Sequence, residues 1–82
     1  MDANVDTSRM KRDIHDMPKD VYAALTKAKV MDEYKSRPPY QQNDYVGWIT
    51  RAKLPATRQK RIDQMVDELK SGGVYMKMKW NG

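Results

Sequence analysis

Residues 39–70 read PYQQNDYVGWITRAKLPATRQKRIDQMVDELK, and this stretch carries two apolar stripes with the spacing of helices. The first stripe has members at i, i+3, i+4 and i+7, which are Tyr45, Trp48, Ile49 and Ala52. The second stripe repeats this spacing with Ile62, Met65, Val66 and Leu69. Pro39 and Pro55 each suit the first turn of a helix. We therefore expect two amphipathic helices joined by a short connection.

A third stripe of the same geometry lies earlier in the chain. It begins near Pro18, and its members are Val21, Ala24, Leu25 and Ala28. A shorter segment follows, with Val30, Met31 and Tyr34 apolar, and it must end before Pro38 because a residue that precedes proline is pushed out of the helical region. Helices with one apolar face bury those faces against one another. The expected fold class is all-α, a small bundle of three to four helices.

The two ends of the chain have a different character. Residues 1–16 are polar and show no sustained period, so we expect a disordered, mobile arm before a helical domain at residues 17–72. Gly72-Gly73 ends the last helix, and residues 73–82 form an extended or loose tail. In this tail the apolar side chains alternate as in a strand, and they are Val74, Met76, Met78 and Trp80. Since no other segment has a strand period, we expect one strand without a partner in the chain. It should lie extended over the helices, pair with another molecule or stay loose, and the first and third are favoured.

Composition argues against catalysis. The 82 residues include no cysteine and one histidine, His15, which lies in the predicted arm. A nucleophile–base pair or a metal cluster needs more ligands than this. We therefore expect no enzyme activity, no catalytic residue, no cofactor and no metal site. No apolar stretch is long enough to span a bilayer, so we expect a location in the cytoplasm. We also expect a monomer.

The excess of positive charge lies in the second half of the chain. The formal net charge is +5, and residues 51–61 contain no acid. The cations of this run, which we call the basic junction, are Arg51, Lys53, Arg58, Lys60 and Arg61. Such a run either attracts a partner or remains solvated. These five residues are the candidate partner-binding residues, together with Trp80.

Two interpretations of the basic junction stay open at this point. Two helices with cations at the start of the second are typical of helix-turn-helix proteins, in which that helix enters the DNA major groove. The alternative is structural, because Arg58 and Arg61 could lie along Trp48 or pair with Asp44 and Asp63. Spacing and charge favour a structural or protein-contact role. We therefore expect an unknown macromolecular partner, and a protein is favoured over DNA or RNA.

The two tryptophans also have two interpretations each, as buried anchors or as exposed platforms for a partner. Trp48 lies on an apolar stripe, so we expect it in the core. Trp80 lies near the end of the tail, where a large apolar group is exposed unless it docks, so it is the better contact residue.

Residues 45–62 resemble the signature of the bacterial YdeI or OmpD-associated (bacteriocin-protection) family. The matching positions are Tyr45, Trp48, Ile49, Ala52, Lys53, Thr57, Arg58, Arg61 and Ile62. The resemblance extends over residues 18 to 72 and leaves the arm and the tail outside. It implies a small helical domain linked by name to bacteriocin protection and to envelope or antimicrobial-peptide stress. It brings no catalytic residues, and its helix-junction cations are the positions where we expect function.

Overall fold

Four helices and a short hairpin follow one another in a computed structural model, which describes residues 16–80. The helices are α1 (Lys19–Lys27), α2 (Met31–Ser36), α3 (Pro39–Thr50) and α4 (Pro55–Ser71), and the strands are β1 (Val74–Tyr75) and β2 (Met78–Lys79). The predicted all-α bundle is confirmed. Of the predicted arm, all residues except Asp16 lie outside the described part of the chain.

The prolines set where the helices begin. Pro39 and Pro55 are the first residues of α3 and α4, where a missing N–H costs nothing and the fixed φ already suits a helix. Pro18 precedes α1 with extended backbone angles. Arg37 is likewise extended, as expected for a residue before proline, and this separates α2 from α3.

The core lies where the apolar faces of the helices meet on α4, which packs against α1, α2, α3 and β1. Its buried apolar side chains are Val21, Leu25, Val30, Tyr34, Tyr45, Val46, Ile49, Ile62, Met65 and Leu69. Every helix contributes at least one of them. The predicted convergence of apolar stripes on one core is therefore confirmed.

Trp48 departs from the expected position in the core, because it is only half-buried and packs against the core from its rim. The fully buried face of α3 instead runs through Gln41, Tyr45, Val46 and Ile49. Trp48 lies beside this buried face, because the face is the side of α3 that contacts α4 and the hairpin. The prediction that Trp48 is a core residue is therefore wrong.

The chain leaves α4 through Gly72, whose φ of 80° is the left-handed conformation that glycine adopts without steric penalty. Its N–H donates to the carbonyl oxygen of Glu68 at 2.9 Å. The predicted helix end at the two glycines is confirmed.

The tail is a hairpin rather than a single strand. The strands pair antiparallel, with Val74 opposite Lys79 and Tyr75 opposite Met78. The two residues between them, Met76 and Lys77, have φ values of 50° and 65°, as in the type I′ turns that suit two-residue hairpins. The expectation of a strand without a partner is wrong, because the chain reverses inside the alternating segment and pairs with itself.

Candidate functional site

The basic junction surrounds the connection between α3 and α4. Arg51 follows the last turn of α3, and its N–H donates to the carbonyl oxygen of Gly47 at 3.1 Å. The chain then extends through Leu54, which precedes Pro55 with φ −102° and ψ 138°. The Leu54 side chain is 66% exposed. The connection therefore presents an apolar side chain to solvent beside Lys53.

Three cations of the junction lie in solvent. Arg51, Lys53 and Lys60 are exposed, and within residues 16–80 none of the three has an acidic side chain in salt-bridge range. Their positive charges are therefore not neutralised by the described part of the chain.

Arg58 is paired with α1. Its Nε donates to Oδ2 of Asp20 at 2.7 Å, and its second guanidinium nitrogen donates to Oδ1 at 3.1 Å. This two-pronged hydrogen bond with the guanidinium lowers the pKa of the Asp20 carboxyl below its ordinary value of 3.8. Both side chains remain partly exposed, so the pair tethers α4 to α1 at the surface and adds little to stability.

Arg61 is paired with α3. Its guanidinium carbon lies 5.3 Å from the centre of the Trp48 ring, and Nη1 donates to the Trp48 carbonyl oxygen at 2.6 Å. That carbonyl belongs to the last turn of α3, where no further helical N–H is available to it. Arg61 therefore caps the end of α3 and covers the exposed face of the tryptophan.

Two of the three arginines of the junction, Arg58 and Arg61, thus have structural contacts, and the acid that Arg58 binds is neither Asp44 nor Asp63. Arg58 pairs with Asp20, thirty-eight positions away, rather than with a neighbour on its own helix. The expected packing of an arginine along Trp48 is met by Arg61.

Trp80 lies far from the basic junction. Its ring stacks on the guanidinium of Arg37, with 4.5 Å between the guanidinium carbon and the ring centre. Arg37 in turn donates to the carbonyl oxygen of Glu68, which lies about 20 Å along α4 from Pro55 at about 1.5 Å per residue. Trp80 is half-buried in this position and is not part of one surface with the junction cations.

A second group of polar residues is buried beneath the hairpin, and sequence reasoning missed it. This buried polar cluster consists of Arg37, Gln41, Tyr45 and Glu68. Arg37 donates to Oε1 of Gln41 at 3.0 Å and to the carbonyl oxygens of Glu68 at 3.0 Å and Val74 at 2.9 Å. Its charge is therefore buried among carbonyl oxygens and under the Trp80 ring.

The Glu68 carboxylate accepts four hydrogen bonds. Oε1 accepts from the hydroxyl of Tyr45 at 2.5 Å and from the N–H of Met76 at 2.7 Å. Oε2 accepts from the N–H of Lys77 at 2.8 Å and from Nε2 of Gln64 at 2.9 Å. A buried charge persists only with such partners. Burial, followed by the neighbouring carboxylate, raises the pKa of Tyr45 and keeps it protonated as a donor.

Two sequence signals for this cluster existed. Glu68 lies three residues after Met65 and beside Leu69, so it borders the apolar stripe of α4, where a carboxylate needs a partner. Gln41 lies one turn before Tyr45, on the same side of α3. Neither position reveals the partner in the hairpin.

The other features of the described chain do not point to a further functional site. Among residues 16–80 no group of three or more His, Cys, Asp or Glu side chains is placed to hold a metal ion. No helix of that range is both long and apolar enough to cross a membrane. An open groove of about 450 Å³ lies between α1 and α4, over Ala24 and Ala28, and none of the predicted partner-binding residues lines it.

Residues 15–72 match the model of the family described as bacteriocin-protection, YdeI or OmpD-associated. The chain belongs to this family. The match spans the four helices and ends before the hairpin, as the resemblance over residues 18 to about 72 predicts. No curated protein and no solved structure matches the chain significantly.

The signature residues of this YdeI/OmpD-associated domain now have physical roles. Tyr45, Ile49 and Ile62 are buried in the core, as expected for the apolar stripe. Arg58 and Arg61 hold α4 to its neighbours through Asp20 and Trp48. Among the signature cations, Lys53 is the one exposed without an ionic partner in the described chain.

Proposed function

We propose that this chain is a non-enzymatic helical domain that binds a protein partner through the exposed part of its basic junction. The observation that carries the proposal is Leu54, 66% exposed on an extended connection and preceded in the chain by the exposed cations Arg51 and Lys53. An exposed apolar side chain next to cations that have no acidic partner within residues 16–80 suits a partner that presents an apolar pocket with an acidic rim.

The contacts of the arginines favour a protein over a nucleic acid. Reading a base edge in the major groove commonly uses both prongs of an arginine fork, and Arg58 has its fork on Asp20. Arg61 is likewise committed to the Trp48 carbonyl. The remaining exposed cations could still contact phosphates, but Leu54 in their midst would gain nothing from a phosphate backbone.

The family description supplies the proposed setting. Its words, bacteriocin protection and OmpD association, suggest that the partner takes part in protection of the cell envelope or against antimicrobial peptides. We propose that the chain does this as a monomer in the cytoplasm, with no cofactor.

Capture from a bacterial lysate by the immobilised full-length chain tests the proposal. Leu54→Ser and Lys53→Glu should each abolish capture of the partner. The matched controls are Met78→Ser, another exposed apolar residue, and Lys35→Glu, another exposed lysine, and both should retain it. Melting curves check that all four variants are folded. Equal capture by all variants would place the contact elsewhere on the molecule.

A titration with mixed-sequence DNA at two salt concentrations tests the alternative. Phosphate contacts make log K fall linearly with log salt, and removal of one contact lowers that slope. We expect no measurable binding that depends on Lys53 or Lys60. DNA binding that weakens steeply with salt and is reduced by Lys53→Glu and Lys60→Glu would replace the protein proposal with a nucleic-acid function.

A further inference from the structure

Both the main chain and the side chains of the C-terminal hairpin hold it to the helices. Among the side chains, the Tyr75 hydroxyl donates to Oδ2 of Asp44 at 2.7 Å and the Trp80 ring stacks on Arg37.

Three main-chain hydrogen bonds complete the attachment. Arg37 donates to the carbonyl oxygen of Val74, while the N–H groups of Met76 and Lys77 donate to the two oxygens of Glu68. The side chains at the tip of the turn take no part in these bonds. What Arg37 and Glu68 recognise is therefore the backbone of a tight turn with two successive N–H groups pointing inward.

We propose that Arg37, Tyr45 and Glu68 form a binding site for the main chain of a tight turn, which the hairpin fills as a cover that opens separately from the helices. The ligand class follows from the groups present. A guanidinium binds a carbonyl oxygen, and a carboxylate binds two neighbouring amides. In the closed form the three side chains are at most 5% exposed.

The packing of the hairpin favours separate opening. None of its side chains belongs to the fully buried core, and Lys77, Met78 and Lys79 are exposed. A two-stranded hairpin is marginally stable by itself. Segments with few buried apolar contacts open at lower free energy than the whole domain. The hairpin thus depends on the bonds from Arg37 and Glu68, on the packing of Tyr75 and Met76 against the core, and on the hydrogen bond from the Tyr75 hydroxyl to Asp44.

The backbone at the joint with α4 and at the tip of the turn also favours separate opening of the hairpin. Gly72 and Gly73 join the hairpin to α4, and a Cβ at Gly72 would meet no atom within 4 Å, so the joint is uncrowded. At the tip, Met76 and Lys77 hold the left-handed conformation, which is uncommon for residues with side chains. The carboxylate of Glu68 compensates this strain in the closed form, and opening relieves it.

Opening would uncover a specific set of groups. Arg37 would lose the Val74 oxygen and the Trp80 ring, and Tyr45 would lose the edge of the Tyr75 ring, whose centre lies 5.5 Å away. The site would then offer a guanidinium, a carboxylate and an aromatic ring to the turn of another chain. It is separate from the basic junction, so it is a second binding surface.

Amide hydrogen exchange of the full-length chain tests the opening. In the native protein the amides of Met76 and Lys77 should exchange at least tenfold faster than that of Met65, which lies in the core. Glu68→Gln should accelerate exchange at Met76 and Lys77 at least tenfold further. The reason is that either orientation of the new amide turns donors toward groups that already donate. Met65 should be accelerated by no more than the same factor, because the lost bonds stabilise the closed form against both hairpin opening and global unfolding, so the turn stays at least tenfold faster than Met65.

Asp67→Asn is the matched control, since Asp67 is the exposed neighbour of Glu68 on α4. It should leave all three amides unchanged. Exchange of Met76 and Lys77 at the same rate as Met65, in the native protein and in Glu68→Gln, would mean that the hairpin opens only when the whole domain unfolds, and would overturn the proposal. No acceleration at the turn would overturn it as well.

Lys77→Pro tests the binding site itself. Proline fixes φ near −65° and has no N–H, so it cannot adopt the φ of 65° or bond to Glu68, and the site stands open in a folded chain. A cyclised peptide with the sequence of residues 73–80 should then bind, shifting the NMR signals of Arg37 and Tyr45. The double variant Lys77→Pro/Glu68→Gln should bind at least tenfold more weakly. Absence of binding to Lys77→Pro, or loss of its helical fold, would contradict the proposal.

Discussion

Arg58 and Arg61 lie one helical turn apart on α4, and their surroundings predict different contributions to the stability of the fold. Arg58 forms an ion pair at the surface, where solvent screens the attraction and two long side chains must be ordered. Arg61 covers a half-buried tryptophan and satisfies a carbonyl at the end of α3. The two residues therefore differ in the number of groups that lose a partner when each is removed.

Arg61→Ala should lower the free energy of unfolding by about 1 to 3 kcal/mol, since it removes a cation–π contact and leaves a helix-terminal carbonyl without its donor. Arg58→Ala should cost at most about 1 kcal/mol, the upper range for exposed ion pairs. Urea unfolding of both variants measures the difference. Lys60→Ala, which removes an exposed lysine with no ionic partner in residues 16–80, is the control. A larger loss for Arg58→Ala than for Arg61→Ala would contradict this ranking.

At the scale of the elements, the turn of the hairpin combines a favourable geometry with unfavourable residues. A type I′ turn needs positive φ at both central positions, for which Asn-Gly is the preferred pair, whereas this chain has Met76 and Lys77. Lys77→Gly keeps both N–H groups that bind Glu68 and leaves the packing of the half-buried Met76 against the core unchanged. It should raise the free energy of unfolding by about 1 kcal/mol, because relief of backbone strain exceeds the added entropy of glycine.

Thermal or urea unfolding checks this gain. Lys79→Gly provides the comparison, because it introduces the same residue into β2, where the side chain is exposed and the backbone is extended. Glycine weakens a strand, so this second variant should be destabilised. Equal destabilisation by both variants would show that residue type at the turn is immaterial.

The helices could be predicted from the sequence, and the hairpin could not. Apolar residues such as Leu25, Ile49 and Met65 recur at helical spacing. The helices bury these same residues in the core that they share. The sequence of the hairpin has no comparable pattern that marks its two strands. Its turn lacks glycine and asparagine, so the alternation from Val74 to Trp80 resembles one strand, and the reversal depends on Glu68.

The candidate site was predictable in part for a similar reason. Local charge marks the basic junction, and the exposure of Arg51, Lys53 and Lys60 agrees with a charged run at a helix connection. Nothing local marks the pairing of Arg58 with Asp20 or of Arg37 with the hairpin, because these contacts join positions more than thirty residues apart. Such pairings are decided by how the helices pack.

At the scale of the whole molecule, polar groups replace part of the missing apolar core. The chain has no phenylalanine and five tyrosines, and two of these, Tyr34 and Tyr45, are buried. A buried phenol needs a partner, and here Tyr34 donates to the carbonyl oxygen of Gln42 at 3.2 Å while Tyr45 donates to Glu68. The fold therefore depends on keeping these two hydroxyls protonated.

This dependence predicts a loss of stability in alkali. Burial raises the pKa of Tyr34, and burial with the Glu68 carboxylate raises the pKa of Tyr45, both from an ordinary value of 10.0. Above pH 10.0 the unfolded chain releases these protons while the folded chain retains them, so the unfolded state binds fewer protons. The free energy of unfolding should fall as the pH rises, by up to about 1.4 kcal/mol per pH unit for each phenol. Tyr45→Phe should remove one such contribution to the slope of unfolding free energy against pH. Urea unfolding between neutral and alkaline pH measures this slope. Tyr22→Phe, which removes an exposed phenol, is the comparison. A slope in Tyr45→Phe as steep as in Tyr22→Phe would show that the buried phenol is not responsible.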